Sequence, residues 1–189
     1  MGEVLLYTAQ APVVMEALER DGVSRVKQAY VDKKYGDTAW VFQTAYAFFR
    51  REMAQRIAPP PGAESPIWLY PDSRWCFMGP DSILMTFRIP EEQVLFFDQR
   101  LWSRILNLEY LGKDEAEEAR FQQELKSIGL ESTHKVFSTA FYPLQKRKIQ
   151  DSWKKLFTSS DCPEAYRQAA VWELRKEWLT EARGSEEVH

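Results

Sequence analysis

The stretch Ile67 to Trp75, read IWLYPDSRW, sets a carboxylate and a guanidinium among three large rings. Asp72 and Arg74 flank a turn after Pro71, beside Trp68, Tyr70 and Trp75. A polar pair above an aromatic surface can hold a flat heterocycle such as a base or a nicotinamide ring, with one edge hydrogen-bonded and one face stacked. The same residues also read as an exposed turn in which Asp72 caps the backbone and the rings belong to a core.

Other candidates carry the same two readings. Glu173, next to Trp172, is the best single acidic candidate, and a structural salt bridge is its plain alternative. Tyr46 either faces a pocket or packs among Phe42, Phe49 and Met53 at helical spacing. Asp98 with Trp102 reads as a helix cap beside a packing ring. Lys146, Arg147, Lys148, Lys154 and Lys155 could meet phosphates, or form a solvated helix face without the interleaved aromatics of single-strand binders. His134 follows a Ser-Thr pair in an expected loop, with no placed acid or cysteine nucleophile. Phosphate-cradling glycine loops, nucleophile elbows and kinase signatures are missing from the sequence.

Composition narrows the class. A chain of 189 residues, 44% hydrophobic and 28% charged, has enough apolar residues for one core and is expected to fold as a single α+β domain over 1–183, with a disordered tail at 184–189. The net charge of -3 argues against general affinity for nucleic acid or membrane surfaces. Cys76 and Cys162 lack ligand spacing and the histidines are two, so no metal site is expected. No apolar run reaches the roughly 18 residues of a membrane span, and MGEVLLYTAQ lacks the segments of a signal peptide, so the expected location is cytoplasmic.

The elements that must position these side chains are organised around Ile83 to Asn107. Ile83, Met85, Phe87 and Ile89 alternate with Leu84, Thr86 and Arg88, so one face of an extended strand is wholly apolar. Pro90-Glu91-Glu92 turns the chain, Val94 to Phe97 reads as a second strand, and Asp98 caps a helix carrying Leu101, Trp102, Ile105 and Leu106. Upstream, Glu3 to Thr8 predicts a strand, Pro12 to Arg20 a helix stopped by Gly22, Val23 to Gly36 a loop, and Asp37 or Thr38 the cap of a helix to Ile57. Ile67 to Tyr70 predicts a short strand. Downstream, helices are expected over Asp114 to Ser127 and Pro143 to Phe157. From 163 to 182 the pattern fits both periods: Tyr166, Ala170, Leu174 and Trp178 align as a helix, whereas Ala170, Trp172 and Leu174 alternate as a strand.

The segments LLYTAQ, AYAFFRREM, PIWLYPDSR, VLFFDQRLWSRILN, IQDSWKKLF and RQAAVWELRKEWL together resemble an uncharacterised family of bacterial and phage domains of unknown function, over nearly the whole chain. That resemblance implies a strand at Gln168 to Leu174. The opening strand-helix-Gly order, the strand running into a Pro turn, and a late strand beginning Gln-Ala are similar to the small ADP-ribosyltransferase superfamily. This second resemblance implies small mixed or antiparallel sheets flanked by helices, with NAD in the cleft between two sheets. It places the family's first-strand Arg or His at Thr8, with Gln10 nearby, and its late catalytic Glu at Ala170. Alanine cannot stabilise charge developing on a ribose, so Glu173 is the substitute acid.

The resulting expectation is an ADP-ribosyltransferase-like α+β domain that binds NAD or another nucleotide, with Thr8, Gln10, Tyr46, Asp72 and Arg74 contacting the ligand. Glu173 is its catalytic or ribose-contacting carboxylate. The competing expectation is a non-catalytic interaction module whose protein or nucleic-acid target meets Lys146, Arg147, Lys148, Lys154 and Lys155.

Overall fold

The alternation along Ile83–Pro90 is realised as an antiparallel strand with Met85, Phe87 and Ile89 fully buried and Arg88 exposed. The computed structural model describes residues 2–29, 39–158 and 162–184. The strand is β4 in the series β1 (Glu3–Gln10), β2 (Val23–Arg25), β3 (Ile67–Leu69), β4 (Ile83–Pro90), β5 (Leu95–Asp98), β6 (Arg167–Val171), β7 (Glu173–Arg175) and β8 (Leu179–Gly184). The helices are α1 (Pro12–Asp21), α2 (Ala39–Arg56), α3 (Gln99–Leu106), α4 (Glu115–Ser127), α5 (Thr133–Phe137), α6 (Pro143–Ser152) and α7 (Lys155–Thr158). This is the mixed α+β class with small antiparallel sheets that the sequence predicts.

The chain forms two compact units. The first takes Met1–Lys34, Arg50–Phe96 and Arg167–His189, and the second Tyr35–Phe49 and Phe97–Tyr166. In the first, β1 runs antiparallel to β4 along its whole length, from Glu3 against Pro90 to Gln10 against Ile83. β4 in turn pairs with β8, whose ladder shifts register between Thr86 and Phe87. β3 pairs with β6 in the order β3-β6-β5, and β2 with β7. Leu6, Leu18, Leu69, Met85, Phe87, Ile89, Ala169, Val171 and Leu174 close this unit's core.

The second unit is held by rings. Phe49 meets Phe97, Trp102 and Phe157 edge-on at 5.0 to 5.2 Å, and Trp153 lies between Phe48 and Phe137. Such pairs add roughly 0.5–1.5 kcal/mol each beyond the area they bury. Trp153 is fully buried and donates its indole N–H to the Glu109 carbonyl at 2.7 Å, so its one polar atom is satisfied.

Several sequence expectations need correction. The expected helix over Pro143 to Phe157 is broken into α6 and α7, because bonds to the third residue back, such as Leu156 N–H to Trp153 O, tighten the chain around the buried Trp153. His134 sits in α5 rather than a loop. The ambiguous 163–182 segment is mostly strand, and β6 gives way to β7 at Trp172, whose indole N–H is drawn to the Ile57 carbonyl at 2.7 Å. Val23 to Arg25, expected as loop, is β2, recruited by β7. β8 was not predicted, and Gly184 ends it instead of opening a tail. The rest of that tail, residues 30–36 of the expected loop, and the cap at Asp37 or Thr38 lie outside the described residues.

Candidate functional site

On the edge of β1 that faces away from β4, the backbone pairs with the chain at one bridge among the described residues. Tyr7 and Tyr70 exchange both backbone hydrogen bonds at 2.8 Å, and no further bridge continues this pairing among the described residues. β1 therefore belongs to one sheet while touching the extension of another, and the side chains after Tyr7 gather polar atoms at the junction. Thr8 is buried and its hydroxyl donates to the Trp68 carbonyl at 3.0 Å. Gln10 Nε2 donates to the same hydroxyl at 2.8 Å, so both functions of Thr8 are used. Gln10 keeps its carbonyl oxygen without a partner among the described residues.

The far wall comes from β3 and β6. Trp68 stands opposite Ala170 and Leu69 opposite Ala169, which puts Tyr70 across from Gln168. The Tyr70 hydroxyl is raised above its ordinary pKa, first by burial and then by the Cys76 thiol, while a hydrogen bond with buried Gln168 works the other way. Burial also pushes the Cys76 thiol up to about 11, although the Ala9 backbone bonds to it. Cys76 therefore lies against β1 at Ala9, the residue after Thr8. Sequence reasoning missed Tyr70, Cys76 and Gln168 as neighbours, although the Gln-Ala start of the late strand was the available signal.

The residues expected to line one cleft divide into separate groups. Thr8 and Gln10 form the junction just described. Asp72 accepts from Arg74 through backbone N–H at 2.9 Å, Nε at 2.9 Å and Nη2 at 2.5 Å, and this hydrogen bonding holds its carboxyl below the usual range. The pair is the cap of a one-turn 3-10 helix, Ser73–Trp75, with Arg74 largely in solvent. Tyr46 belongs to the second unit, buried edge-on against Trp102 at 5.7 Å.

Glu173 stands apart from Thr8. It is buried on β7, where one carboxylate oxygen accepts from Arg25 Nε and the other from Arg175 Nε, each at 2.7 Å. Thr8 and Glu173 share no hydrogen-bond partner. β1 and the late strands β6 and β7 are also not neighbours in one sheet. Ala170, at the acid position implied by the resemblance, is fully buried opposite Trp68. Arg175 lies two residues beyond Glu173, on the same strand face, which the sequence offers as a signal. Arg25 is 148 residues away in the chain and gave none.

The family described as Domain of unknown function (DUF3841) matches residues 5–180. The chain is a member of the DUF3841 family. No curated protein and no solved structure matches it. The matched residues of this DUF3841 domain include β1 from Leu5 onward, the junction at Tyr7 and Tyr70, and Glu173. Among its described residues no group of three or more His, Cys, Asp or Glu could hold a metal, and no helix is long and apolar enough to cross a membrane.

The basic residues of the DUF3841 domain's α6 and the turn after it are largely occupied. Lys146 donates to the Thr139 carbonyl, Lys148 holds both oxygens of Glu124, and Lys154 bonds Asp151 at 2.9 Å. Burial opposes the Lys148 and Gln145 hydrogen bonds at Glu124, but its carboxyl is still held below the usual range, with Lys148 as the largest cause. Exposed apolar side chains lie close by in sequence: Phe141 is 83% and Leu144 69% exposed.

Proposed function

We propose that this chain binds a nucleotide of the NAD type at the β1 junction and does not turn it over. The observation that carries the reading is the neutral polar set of Thr8, Gln10, Tyr70 and Gln168 where β1 meets the extension of β3. Gln10 offers a carbonyl oxygen to an exocyclic amine or a carboxamide, and Tyr70 offers a partly exposed ring to a base face. The resemblance to the ADP-ribosyltransferases supports the choice of ligand, since it places their dinucleotide at the first strand.

Chemistry is a different matter. Cleaving the nicotinamide bond needs an uncommitted carboxylate beside the ribose, where positive charge develops. Position 170 is a buried alanine, and both oxygens of Glu173 are engaged by arginines. Calorimetry with NAD tests the reading: the parent gives saturable heat, Thr8→Val with Gln10→Ala weakens binding by about tenfold, and NAD hydrolysis stays at background in both the parent and Glu173→Gln. Absence of heat at millimolar NAD would remove the reading.

A second reading, an interaction module with a protein target, is favoured by the exposure of Phe141, just before α6, and of Leu144, in its first turn. The nucleic-acid form of it is weaker, because Lys146, Lys148 and Lys154 are engaged by their own neighbours. A gel shift with single-stranded RNA is expected to show nothing that depends on these lysines.

A further inference from the structure

The cavity beside Glu173 is separate in its chemistry from the β1 junction. It has a volume of about 640 Å³ and is lined in part by Arg25, Arg175, Lys176, Asp21, Glu173 and Glu177. Its charges are not equally available. Both oxygens of Asp21 are taken by Arg20, at 3.0 and 2.7 Å, and Glu177 accepts from Arg175 Nη1 at 3.3 Å.

Glu173 has 5% of its side chain exposed and binds the two guanidinium groups through their Nε atoms only. Each arginine is thus gripped at its stem. Both terminal nitrogens of Arg25, Nη2 of Arg175 and the Lys176 ammonium have no hydrogen-bond partner among the described residues, and the Arg175 guanidinium lies 5.3 Å over the Trp178 ring. The backbone fixes this arrangement from two sides: Arg25 pairs with Glu173 across β2 and β7, and the Lys176 amide donates to the Gly22 carbonyl at 2.9 Å. Gly22 is left-handed, with φ of 72°, which lets α1 stop and β2 begin alongside Arg175.

A buried carboxylate that holds two guanidinium groups at Nε leaves the fork of Arg25 and Nη2 of Arg175 unspent, and such donors match the tetrahedral oxygens of a phosphoryl group. With Arg20 set against Asp21, the cavity keeps three cations against two carboxylates. A single carboxylate ligand would use the fork of Arg25 alone, whereas a doubly charged phosphoryl group also engages Nη2 of Arg175 and the ammonium. We propose that this cavity binds the phosphoryl group of a small molecule, with Arg25, Arg175 and Lys176 as its contacts and Glu173 as the positioning residue. The cavity is open to solvent, with room beside a phosphoryl group for the body that carries it.

The test is titration of the full-length chain with inorganic pyrophosphate, ionic strength held constant, with ADP and acetate as companion ligands. Expected are saturable pyrophosphate binding, no competition from acetate at equal concentration, and equal or tighter binding of ADP. Arg25→Lys keeps the charge and the fold but removes the fork, and is expected to weaken binding by about tenfold. Lys176→Gln is expected to weaken it by about threefold. Glu173→Gln keeps the shape but loosens both arginines, and is expected to lower affinity while leaving the thermal unfolding midpoint within a few degrees. Thr8→Val with Gln10→Ala leaves pyrophosphate binding intact, so this site stands or falls apart from the nucleotide reading. Binding undiminished in Arg25→Lys, equal binding of acetate, or a preference for single-stranded RNA that survives loss of both Arg25 and Lys176 would overturn the proposal.

Discussion

At the scale of single residues, Cys76 reports on the interior of the β1 junction. A thiol with a pKa of about 11 is ionised to only about one part in a thousand at pH 8, and thiolate is the species that alkylates. Once Cys162 has been replaced by serine, Cys76 is expected to react with iodoacetamide about a hundred times more slowly than a model thiol, until urea unfolds the chain. Reaction at the model rate in the folded protein would mean that the junction is open at Cys76. Thr8 carries a stability term as well, since its buried hydroxyl satisfies the Trp68 carbonyl and receives the Gln10 amide. Thr8→Val is expected to cost about 1–2 kcal/mol in chemical denaturation and Thr8→Ser much less.

Among the elements, α3 depends on Asp98, whose carboxylate accepts from Arg100 N–H at 2.9 Å as a helix cap. Burial pushes that carboxyl up, but the side-chain and backbone hydrogen bonds of Arg100 outweigh it and hold its pKa below the ordinary value. A depressed folded pKa gives stability that is complete above the unfolded value of about 3.9 and fades as pH falls through the folded one. Asp98→Asn is therefore expected to lose about 1–2 kcal/mol at pH 7 and progressively less below about pH 4, read as urea midpoints. β8 invites a cruder test. It covers the outer edge of β4, so ending the chain after Trp178 bares that edge and is expected to cause aggregation.

The same elements show what the sequence could convey. β4 was legible because its alternation is a local property: Met85, Phe87 and Ile89 face a core whatever else the chain does. The Asp98 cap was legible for the same reason. β2 was not, being three residues long and dependent on a partner about 150 residues distant, and β7 was reached only as far as Leu174 through the family resemblance. The tie between Trp172 and Ile57 that separates β6 from β7 is equally non-local, so strand period alone ran through it. Thr8 and Gln10 were singled out through the resemblance to the ADP-ribosyltransferases, and on β1 they are hydrogen-bonded to each other. The distance in chemistry between Thr8 and Glu173 depends on Arg25, and no local pattern announces that contact.

For the molecule as a whole, the two units differ in how they are held. The first rests on short antiparallel ladders around an aliphatic core, and the second on a lattice of rings around Phe49, Trp102 and Trp153. Trp153→Ala is expected to cost about 3–5 kcal/mol, because it opens a void among these rings and leaves the Glu109 carbonyl without its donor. The DUF3841 match over residues 5–180 spans parts of both units and includes the polar junction at Tyr7 and Tyr70.

That junction is tested most directly by a crystal of the chain soaked with NAD at saturating concentration. The account predicts density for a ring against Tyr70, with an amide or exocyclic amine within hydrogen-bond distance of the Gln10 side-chain oxygen, and an intact nicotinamide bond. Nicotinamide released in the crystal, or ordered NAD whose rings touch neither Gln10 nor Tyr70, would contradict it.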